Sequence, residues 1–287
     1  MVTIQGRPVL FTPTDASRAI FESIVISRFA VDDKGDEVLR TLAGLAYVPR
    51  GTSSWQLSAG AESVLLPAAA SQSRSVDVTP SDGPRFRPPD RTVVQAEWYQ
   101  QHVIEAMNVD VRDGGNANVF QSFGVLFVPD GFRIPVVTAN SVNVMHYGLS
   151  LIINDTNVVF DSPEYDLVLA RYDYRPNYLR DFLTKERGGG GYFVETHNFP
   201  HLHTPLSAEC GGCILVGQKR MSGDYEFTGF RIPYGTGLYT PSNTIHGDGT
   251  IVGDHAITVA TASAQADTVL FYNENSRRMA PDAVAPM

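Results

Sequence analysis

The sequence is short of basic residues, and this shortage limits which partners the protein can have. Only 22 Lys and Arg stand against 31 Asp and Glu in 287 residues, so the formal net charge is -9. Without a basic run to neutralise phosphates, nucleic acid and anionic membranes are not expected partners. The N-terminus lacks the charged region and apolar core of a signal peptide, and no long apolar run predicts a membrane span. We therefore expect a cytoplasmic protein.

Cysteine is also scarce, since only Cys210 and Cys213 are present, as Cys-Gly-Gly-Cys. One interpretation is a zinc site completed by His201 and His203, and another is a redox pair. Neither has its usual surroundings, because no second Cys or His pair completes a zinc pattern and no helix is predicted after the cysteines. Structural thiols are the favoured interpretation, and the scarcity of cysteine is typical of a reducing cytoplasm.

Helical patterns are few, and before residue 90 they occur only near the N-terminus. A capping cluster at residues 12–15 precedes an apolar face that includes Ile20 and Ile24 and extends to about Arg28. Asp36 is predicted to cap a second short helix, whose apolar residues are Val38, Leu39, Leu42 and Leu45.

Most of the remaining chain carries short strand-like runs separated by turn residues. Their close spacing beyond Asn116 is typical of a β-sandwich or barrel, and the helices that a parallel α/β fold needs are missing. The proline-rich residues 79–91 indicate a connection between parts of the chain. We therefore expect a mainly-β protein with helices and short strands in 1–90, a β-rich domain in 91–185 and a metal-binding barrel in 186–287.

A five-residue repeat, Gly-Phe-Arg-Ile-Pro, occurs at residues 131–135 and again at residues 229–233. The first copy leads to His146 and the second leads to His246. One interpretation is a duplicated barrel whose first half has lost its metal. Chance or a shared turn type explains so short a match equally well.

Two closely spaced histidines, His201 and His203, carry the strongest functional signal. On an extended strand they present both imidazoles to the same side, which suits a metal ion. Further ligands must come from elsewhere in the chain. Glu209 and His246 are the nearest candidates of suitable chemistry.

This stretch resembles the two motifs of the cupin superfamily. Gly235, Pro241 and His246 match the second motif at the family's spacing, with Asn243 where the family usually has Gly. Asn is the most tolerable replacement for a Gly that needs positive φ, so this departure is mild.

The first motif is matched less closely. His201 and His203 are present, but Glu209 follows after five intervening residues, where the family usually has three or four. Either a β-bulge absorbs the extra residue, or Glu209 is not a ligand. The resemblance implies a double-stranded β-helix, which is a jelly-roll-like barrel. It also implies one divalent metal, Fe(II) in preference to Zn, Mn, Ni or Co, held by His201, His203, Glu209 and His246.

Neighbouring residues add further candidates for the site. Glu195 and His197 share one face of an extended chain. Glu195 is either a general base with a raised pKa or part of a solvated strand face, and His197 is an extra ligand, a support for the ligands or a surface residue. Tyr239 is a candidate for lining the pocket, whereas Asp248 is explained by turn chemistry alone. The four glycines at residues 188–191 predict a hinge or a mobile loop, and a mobile loop at the mouth of a barrel is able to gate a site.

A cage of three His and one Glu leaves two open positions on a six-coordinate metal. The leading hypothesis is a non-haem iron dioxygenase or hydroxylase that acts on a small organic substrate. The alternatives are an oxygen-independent isomerase or lyase for a sugar or keto acid, and a non-catalytic ligand-binding barrel. A homodimer is expected, because cupins commonly pair through strand edges.

Overall fold

The computed structural model describes residues 2–60, 64–68, 87–107, 109, 121–185, 188–261, 264 and 266–286. In this part of the chain the first strands are β1 (Val2–Ile4), β2 (Arg7–Val9), β3 (Ala30–Val31), β4 (Glu37–Val48), β5 (Gly51–Leu57), β6 (Leu65–Pro67), β7 (Thr92–Val94), β8 (Trp98–Gln100), β9 (Gln121–Val128), β10 (Val136–Thr138) and β11 (Ser150–Ile153). They are followed by β12 (Asn157–Ser162), β13 (Leu167–Tyr174), β14 (Phe193–His197), β15 (His201–Pro205), β16 (Gly211–Gly212), β17 (Ile214–Lys219), β18 (Tyr225–Arg231), β19 (Thr236–Thr240), β20 (Ile245–Gly247), β21 (Ile251–Val259) and β22 (Ala266–Asn273). The helical elements are α1 (Asp15–Ser27), α2 (Gln101–Ala106), a 3-10 turn at Val144–Tyr147 and a π-helical turn at Leu179–Leu183.

The described strands form three sheets. A ten-stranded sheet has the order β1-β2-β4-β13-β21-β15-β19-β11, with β3 beside β4 and β16 beside β21. A nine-stranded sheet has the order β10-β18-β17-β20-β14-β22-β9-β8, with β7 beside β18, and a small sheet has the order β12-β5-β6. The mainly-β architecture expected from the sequence is confirmed.

The two large sheets curl around one apolar core, which gives the molecule its barrel character. Buried side chains of β13 and β21 in the ten-stranded sheet pack with those of β14, β17 and β22 in the nine-stranded sheet. A second core lies where β4, β13 and β15 pack against the small sheet, chiefly against Leu57 and Phe160. The ten-stranded sheet is therefore covered on both faces, and its inner face is directed towards the barrel interior.

Strands from all three predicted parts of the chain pair with one another. β4 from residues 1–90 and β21 from residues 186–287 both pair with β13, which lies in residues 91–185. The predicted part boundaries therefore do not coincide with boundaries between sheets. The proline-rich connection predicted at residues 79–91 lies mostly outside the described residues.

The first predicted helix is confirmed as α1. Its N-cap is Thr14, whose side chain accepts a hydrogen bond from the Ser17 backbone N–H, while the Ser17 hydroxyl accepts one from the Thr14 N–H. Ile20 and Ile24 are buried, and Arg28 caps the C-terminus. In the described part of the chain, neither α-helix has the length and apolar character that crossing a bilayer would require.

The second predicted helix is wrong, because residues 37–48 form the long strand β4. Pairing between β4 and β13 shifts register twice, between Leu169 and Ala170 and again between Arg171 and Tyr172. Each shift changes which side chains face inward, so the apolar residues of β4 do not alternate strictly. Their irregular spacing resembles a helical period.

The Gly-Phe-Arg-Ile-Pro repeat places two strands side by side. The strand after the first copy, β10, pairs in parallel with β18, and Val136 lies opposite Gly229 of the second copy. One copy precedes a strand of the nine-stranded sheet, and the other copy begins within the neighbouring strand of the same sheet. This pairing places both copies in one structural unit.

The glycines at residues 188–191 are held against the π-helical turn that precedes them. The Gly189 N–H donates to the Phe182 carbonyl at 2.6 Å, and the Gly191 N–H donates to the Leu183 carbonyl at 2.8 Å. Residues 189–191 are also buried. The prediction of a mobile loop is therefore corrected to a packed turn.

Candidate metal centre

Four buried side chains converge between the two large sheets: Glu195, His197, His201 and His246. One potential ligand atom of each lies within 4.8 Å of the others. Glu195 and His197 lie on β14, and His246 lies on β20 directly opposite Glu195. His201 lies on β15 of the ten-stranded sheet, so an ion held by this cluster would connect the two sheets.

Local sequence features place these side chains. Glu195 and His197 are two residues apart on a strand and therefore share a face. A Cβ atom added at Gly247 would lie 2.3 Å from the Phe193 carbonyl oxygen, so glycine allows β20 to approach β14 closely. Asn243 has a φ of 63° and donates its N–H to the His197 carbonyl at 2.7 Å. The positive φ expected for this residue is confirmed.

Backbone carbonyls orient two of the imidazoles towards the cluster. His201 Nδ1 donates to the Thr258 carbonyl, and His246 Nδ1 donates to the Thr244 carbonyl at 2.9 Å. Because a carbonyl only accepts hydrogen bonds, the Nε2 atom of each neutral ring carries the lone pair. Such outer contacts are the usual way in which proteins fix the tautomer of a metal-binding histidine.

The spacing of the ligand atoms suits a metal ion. His197 Nε2 lies 2.9 Å from His201 Nε2, and His246 Nε2 lies 3.8 Å from Glu195 Oε1. Ligand atoms bound at about 2.1 Å from one ion lie roughly 3 to 4 Å apart. In the described part of the chain, His246 Nε2 has no hydrogen-bond partner. An ion would therefore satisfy a buried nitrogen that is otherwise unpaired.

Burial also prepares the protonation states that metal binding requires. It lowers the pKa of His197 and His201 well below the ordinary value, and neighbouring histidines add to this effect. Burial likewise lowers the pKa of His246, so all three rings are neutral at pH 7. In contrast, burial raises the pKa of Glu195 to about 8, against the opposing effect of Arg28. A bound cation would stabilise the Glu195 carboxylate and displace its proton.

A small cavity of about 30 Å³ adjoins the cluster. A cavity needs about 10 to 15 Å³ to hold one water molecule, so about two or three water molecules would fill this one. Its polar lining includes Glu195, His197 and His201, and α1 contributes Ile24, Ser27 and the capping residue Arg28. The helix predicted as scaffold therefore forms one wall of the site.

Arg28 is fixed by a buried ion pair that the sequence did not reveal. Its Nη1 atom donates to Asp248 Oδ2 at 3.0 Å and to Oδ1 at 3.3 Å, although the residues lie 220 positions apart. The Tyr174 hydroxyl donates to the same carboxylate at 3.3 Å. Asp248 is thus part of the wall behind the cluster, which turn chemistry alone did not predict.

The structure brings only two of the four predicted ligands into the cluster, namely His201 and His246. His203 lies beside His201 on the same strand face, with ring centroids 5.1 Å apart, but it lies outside the group. Both of its ring nitrogens are buried and have no hydrogen-bond partner among the described residues. Glu209 lies in an exposed turn, so the carboxylate of the cluster is that of Glu195.

Tyr239, the predicted pocket residue, faces away from the cluster. It lies opposite Leu202 in the pairing of β15 with β19, whereas His201 lies opposite Thr240. Because neighbouring residues on a strand point to opposite faces, Tyr239 and Leu202 are directed to the second core. The alternation could have been applied only once the strand pairing was known.

The two cysteines also lie outside the cluster. The Cys210 thiol donates to the Asp254 carbonyl at 2.9 Å, and Cys213 Sγ lies 3.3 Å from Thr250 Oγ1. Both are free thiols, and burial raises the pKa of Cys213 to about 11. These contacts are those of structural thiols.

Comparisons with protein-family models, with curated proteins and with solved structures found no match to this chain. The arrangement of the site is therefore the basis for a functional assignment.

Proposed function

We propose that this protein is a metal-dependent enzyme of cupin-like architecture that oxidises a small organic substrate with O₂ at a non-haem iron centre. The observation that carries the proposal is the buried group of Glu195, His197, His201 and His246. Two of its imidazoles are oriented by backbone carbonyls, and its carboxylate has a raised pKa. Ion binding is the simplest function for such a group.

The donor set supports iron in particular. Imidazole and carboxylate ligands are those of non-haem Fe(II) oxygenases, whereas soft thiolates favour other metals, and neither cysteine belongs to the cluster. When bound, Fe(II) would supply the activation of O₂ towards an organic substrate. The preference for iron over Zn, Mn, Ni or Co remains part of the proposal.

The protein's own residues would hold the reacting groups and exclude water. His197 is supported by its ring stacking on Phe199, with centroids 3.7 Å apart and planes at 9°. Val259, Ala260 and Ala266 form apolar walls of the cavity. A dry site strengthens the interactions between the bound ion and its ligands.

The proposed ligand set departs from the usual cupin pattern. In place of His203 and Glu209, β14 supplies His197 and Glu195 from the strand before the His-x-His segment. The metal would still lie between the two large sheets of a barrel. The proposal therefore keeps the cupin-like architecture and changes the source of two ligands.

A second candidate function is a non-catalytic metal site. The cavity of about 30 Å³ favours it, because four protein ligands in a closed site are typical of structural zinc. In that case the ion would contribute to stability by joining the two sheets.

Metal analysis followed by an oxygen assay tests the proposal. Protein purified without added metal should contain about one iron per chain, and candidate small substrates should stimulate O₂ consumption. The matched variant His246→Ala should abolish both. Turnover that persists without O₂ and with a redox-inert metal would instead identify an isomerase or lyase. Stoichiometric zinc without turnover would identify the non-catalytic site.

A further inference from the structure

We propose that Phe199 determines the substrate specificity of this site by admitting only a small apolar group of the substrate to the cluster. The inference rests on the proposed metal-dependent function and adds to it the chemical class of the substrate. It begins from position, because Phe199 lines the cavity that also contacts Glu195, His197 and His201. Only 7% of Phe199 is exposed, so its ring lies within the protein interior.

The Phe199 ring is held in place by neighbouring rings. Its plane lies at 9° to that of the His197 ring, and the ring centroids are 3.7 Å apart. It also makes edge-to-face contacts with Tyr165 and His201, at centroid distances of 5.6 and 5.3 Å. Pro200 follows directly and restricts the Phe199 backbone to extended conformations. A ring that is packed on several sides does not swing away from an incoming substrate, so it sets a fixed boundary to the cavity.

The rest of the apolar wall consists mainly of small side chains. The described apolar residues that line the cavity are all buried, and they are Ile24, Phe199, Val259, Ala260, Ala264 and Ala266. Phe199 is the largest of them, so it occupies more of the space beside the cluster than any other. Outside the cluster, the polar lining is Ser27, Arg28 and Thr261. Of these, Arg28 is paired with Asp248. An apolar group would bury its surface against the wall without leaving a polar atom of its own unpaired.

The size of the cavity limits how large that group can be. Its volume of about 30 Å³ would hold about two or three water molecules, which corresponds to about two or three non-hydrogen atoms. In a hydrophobic pocket, one additional methylene changes binding by about 10- to 200-fold. Methanethiol and 2-methyl-2-propanethiol are therefore suitable probes. Both bind a metal ion through a thiolate sulfur, and the second is larger by three methyl groups.

The test measures binding of these two thiols to the Co(II)-loaded full-length protein from the visible spectrum, which records thiolate coordination at the metal. Wild type should bind methanethiol about 10-fold or more tightly than 2-methyl-2-propanethiol. Phe199→Ala opens space beside the cluster and should bind the two thiols with similar affinity. Phe199→Leu keeps an apolar side chain beside His197 and should show an intermediate preference. Both variants should hold about one Co(II) per chain.

A matched control is Phe160→Ala, because Phe160 is also buried but packs on Tyr239 in the second core, with ring centroids 5.6 Å apart. It should keep the wild-type preference. Equal binding of both thiols by wild type, binding of neither, or the wild-type preference in both Phe199 variants would overturn the role of Phe199 and leave the metal site intact.

Loss of Co(II) from both Phe199 variants would also overturn that role, because it would show that Phe199 supports the ligands and does not select the substrate. A wild type that binds no Co(II) would overturn the proposed metal site and this inference together.

Discussion

Two buried glutamates in the nine-stranded sheet have opposite environments. Glu195 lies on β14 and Glu226 lies on β18, and each is 2% exposed. Glu226 accepts hydrogen bonds from Arg91 at 2.9 Å and from Gln218, and its Oε1 lies 2.6 Å from His146 Nε2. Burial alone would raise its pKa, but these bonds hold the pKa of Glu226 below its ordinary value.

Among the described residues, no comparable set of donors contacts Glu195. Its Oε1 atom lies 3.8 Å from His246 Nε2. Burial raises the pKa of Glu195 to about 8. A buried carboxylate whose partners are already present stabilises the fold. One that lies in a buried group with three imidazoles could hold a cation. The comparison therefore separates a structural carboxylate from one that could hold a metal ion.

The largest expected effect follows from removing a histidine of the cluster that contains Glu195. His201→Ala or His246→Ala should each lower metal affinity by about 100-fold or more. A side chain that binds the metal directly contributes at least as much to affinity as the outer groups that orient it. Glu226→Gln should leave metal affinity unchanged. Metal stoichiometry after dialysis against a weak chelator measures both, and equal metal loss in all three variants would erase the distinction between the two glutamates.

The second prediction concerns pH. Metal binding must displace the Glu195 proton below about pH 8, so metal affinity should rise roughly 50-fold between pH 6 and pH 8. The histidines contribute little to this rise, because burial lowers their pKa values and they are already neutral. Competition titrations at the two pH values measure the change. Glu195→Gln should show weak binding that is independent of pH, and a pH-dependent Gln variant would contradict the assignment.

In the metal-free protein, the Glu195 carboxyl group should also make the free energy of unfolding depend on pH. Because the folded-state pKa of Glu195 is raised from 4.5 to about 8, its contribution to folding is present at low pH and is lost as pH rises through this window. Glu226, whose pKa is lowered, contributes in the opposite sense and loses its contribution in acid. Urea unfolding from pH 5 to pH 8 should therefore show that Glu195→Gln gains stability relative to wild type as pH rises.

The fourth prediction applies to Glu226 itself. Glu226→Gln removes a charge that Arg91 and His146 face, and it should lower the free energy of unfolding by about 2 kcal/mol. Urea midpoints for wild type and the variant measure this difference. An unchanged midpoint would show that the bonds around Glu226 do not stabilise the fold.

The smallest expected effect concerns assembly. Described residues of one chain supply all four groups of the cluster and the partners of Glu226, so we expect a homodimer to add no ligand. Light scattering should give twice the 31.3 kDa chain mass, and dilution to the monomer should leave metal content unchanged. A mass near that of one chain at micromolar concentration would contradict the expected dimer.

Local patterns predicted the parts of the molecule that depend on neighbouring residues. Thr14 and Ser17 cap α1 within a single turn, so the helix could be predicted from sequence. His201 and His246 were found through motif spacing, and Asn243 through its tolerance of positive φ. In contrast, β4 was predicted as a helix because register shifts against β13 disturb its alternation.

The parts that sequence did not reveal depend on contacts between distant residues. Motif spacing favours Glu209 as the carboxylate ligand, but the turn that carries it is exposed. Strand alternation predicts that Glu195 and His197 share a face, yet only the pairing of β14 with β20 places Glu195 opposite His246. Arg28 and its partner Asp248 are 220 positions apart in the sequence. No local signal predicts such a contact.

The central claim is that Glu195 and His197, not Glu209 and His203, complete the metal centre. Its most direct test is the metal content of two matched pairs of variants, purified without added metal. Glu195→Gln and His197→Ala should lose the metal, whereas Glu209→Gln and His203→Ala should retain about one ion per chain. Loss of metal from Glu209→Gln and His203→Ala with retention in the other two would contradict the account and restore the ligand set that the sequence motif predicts.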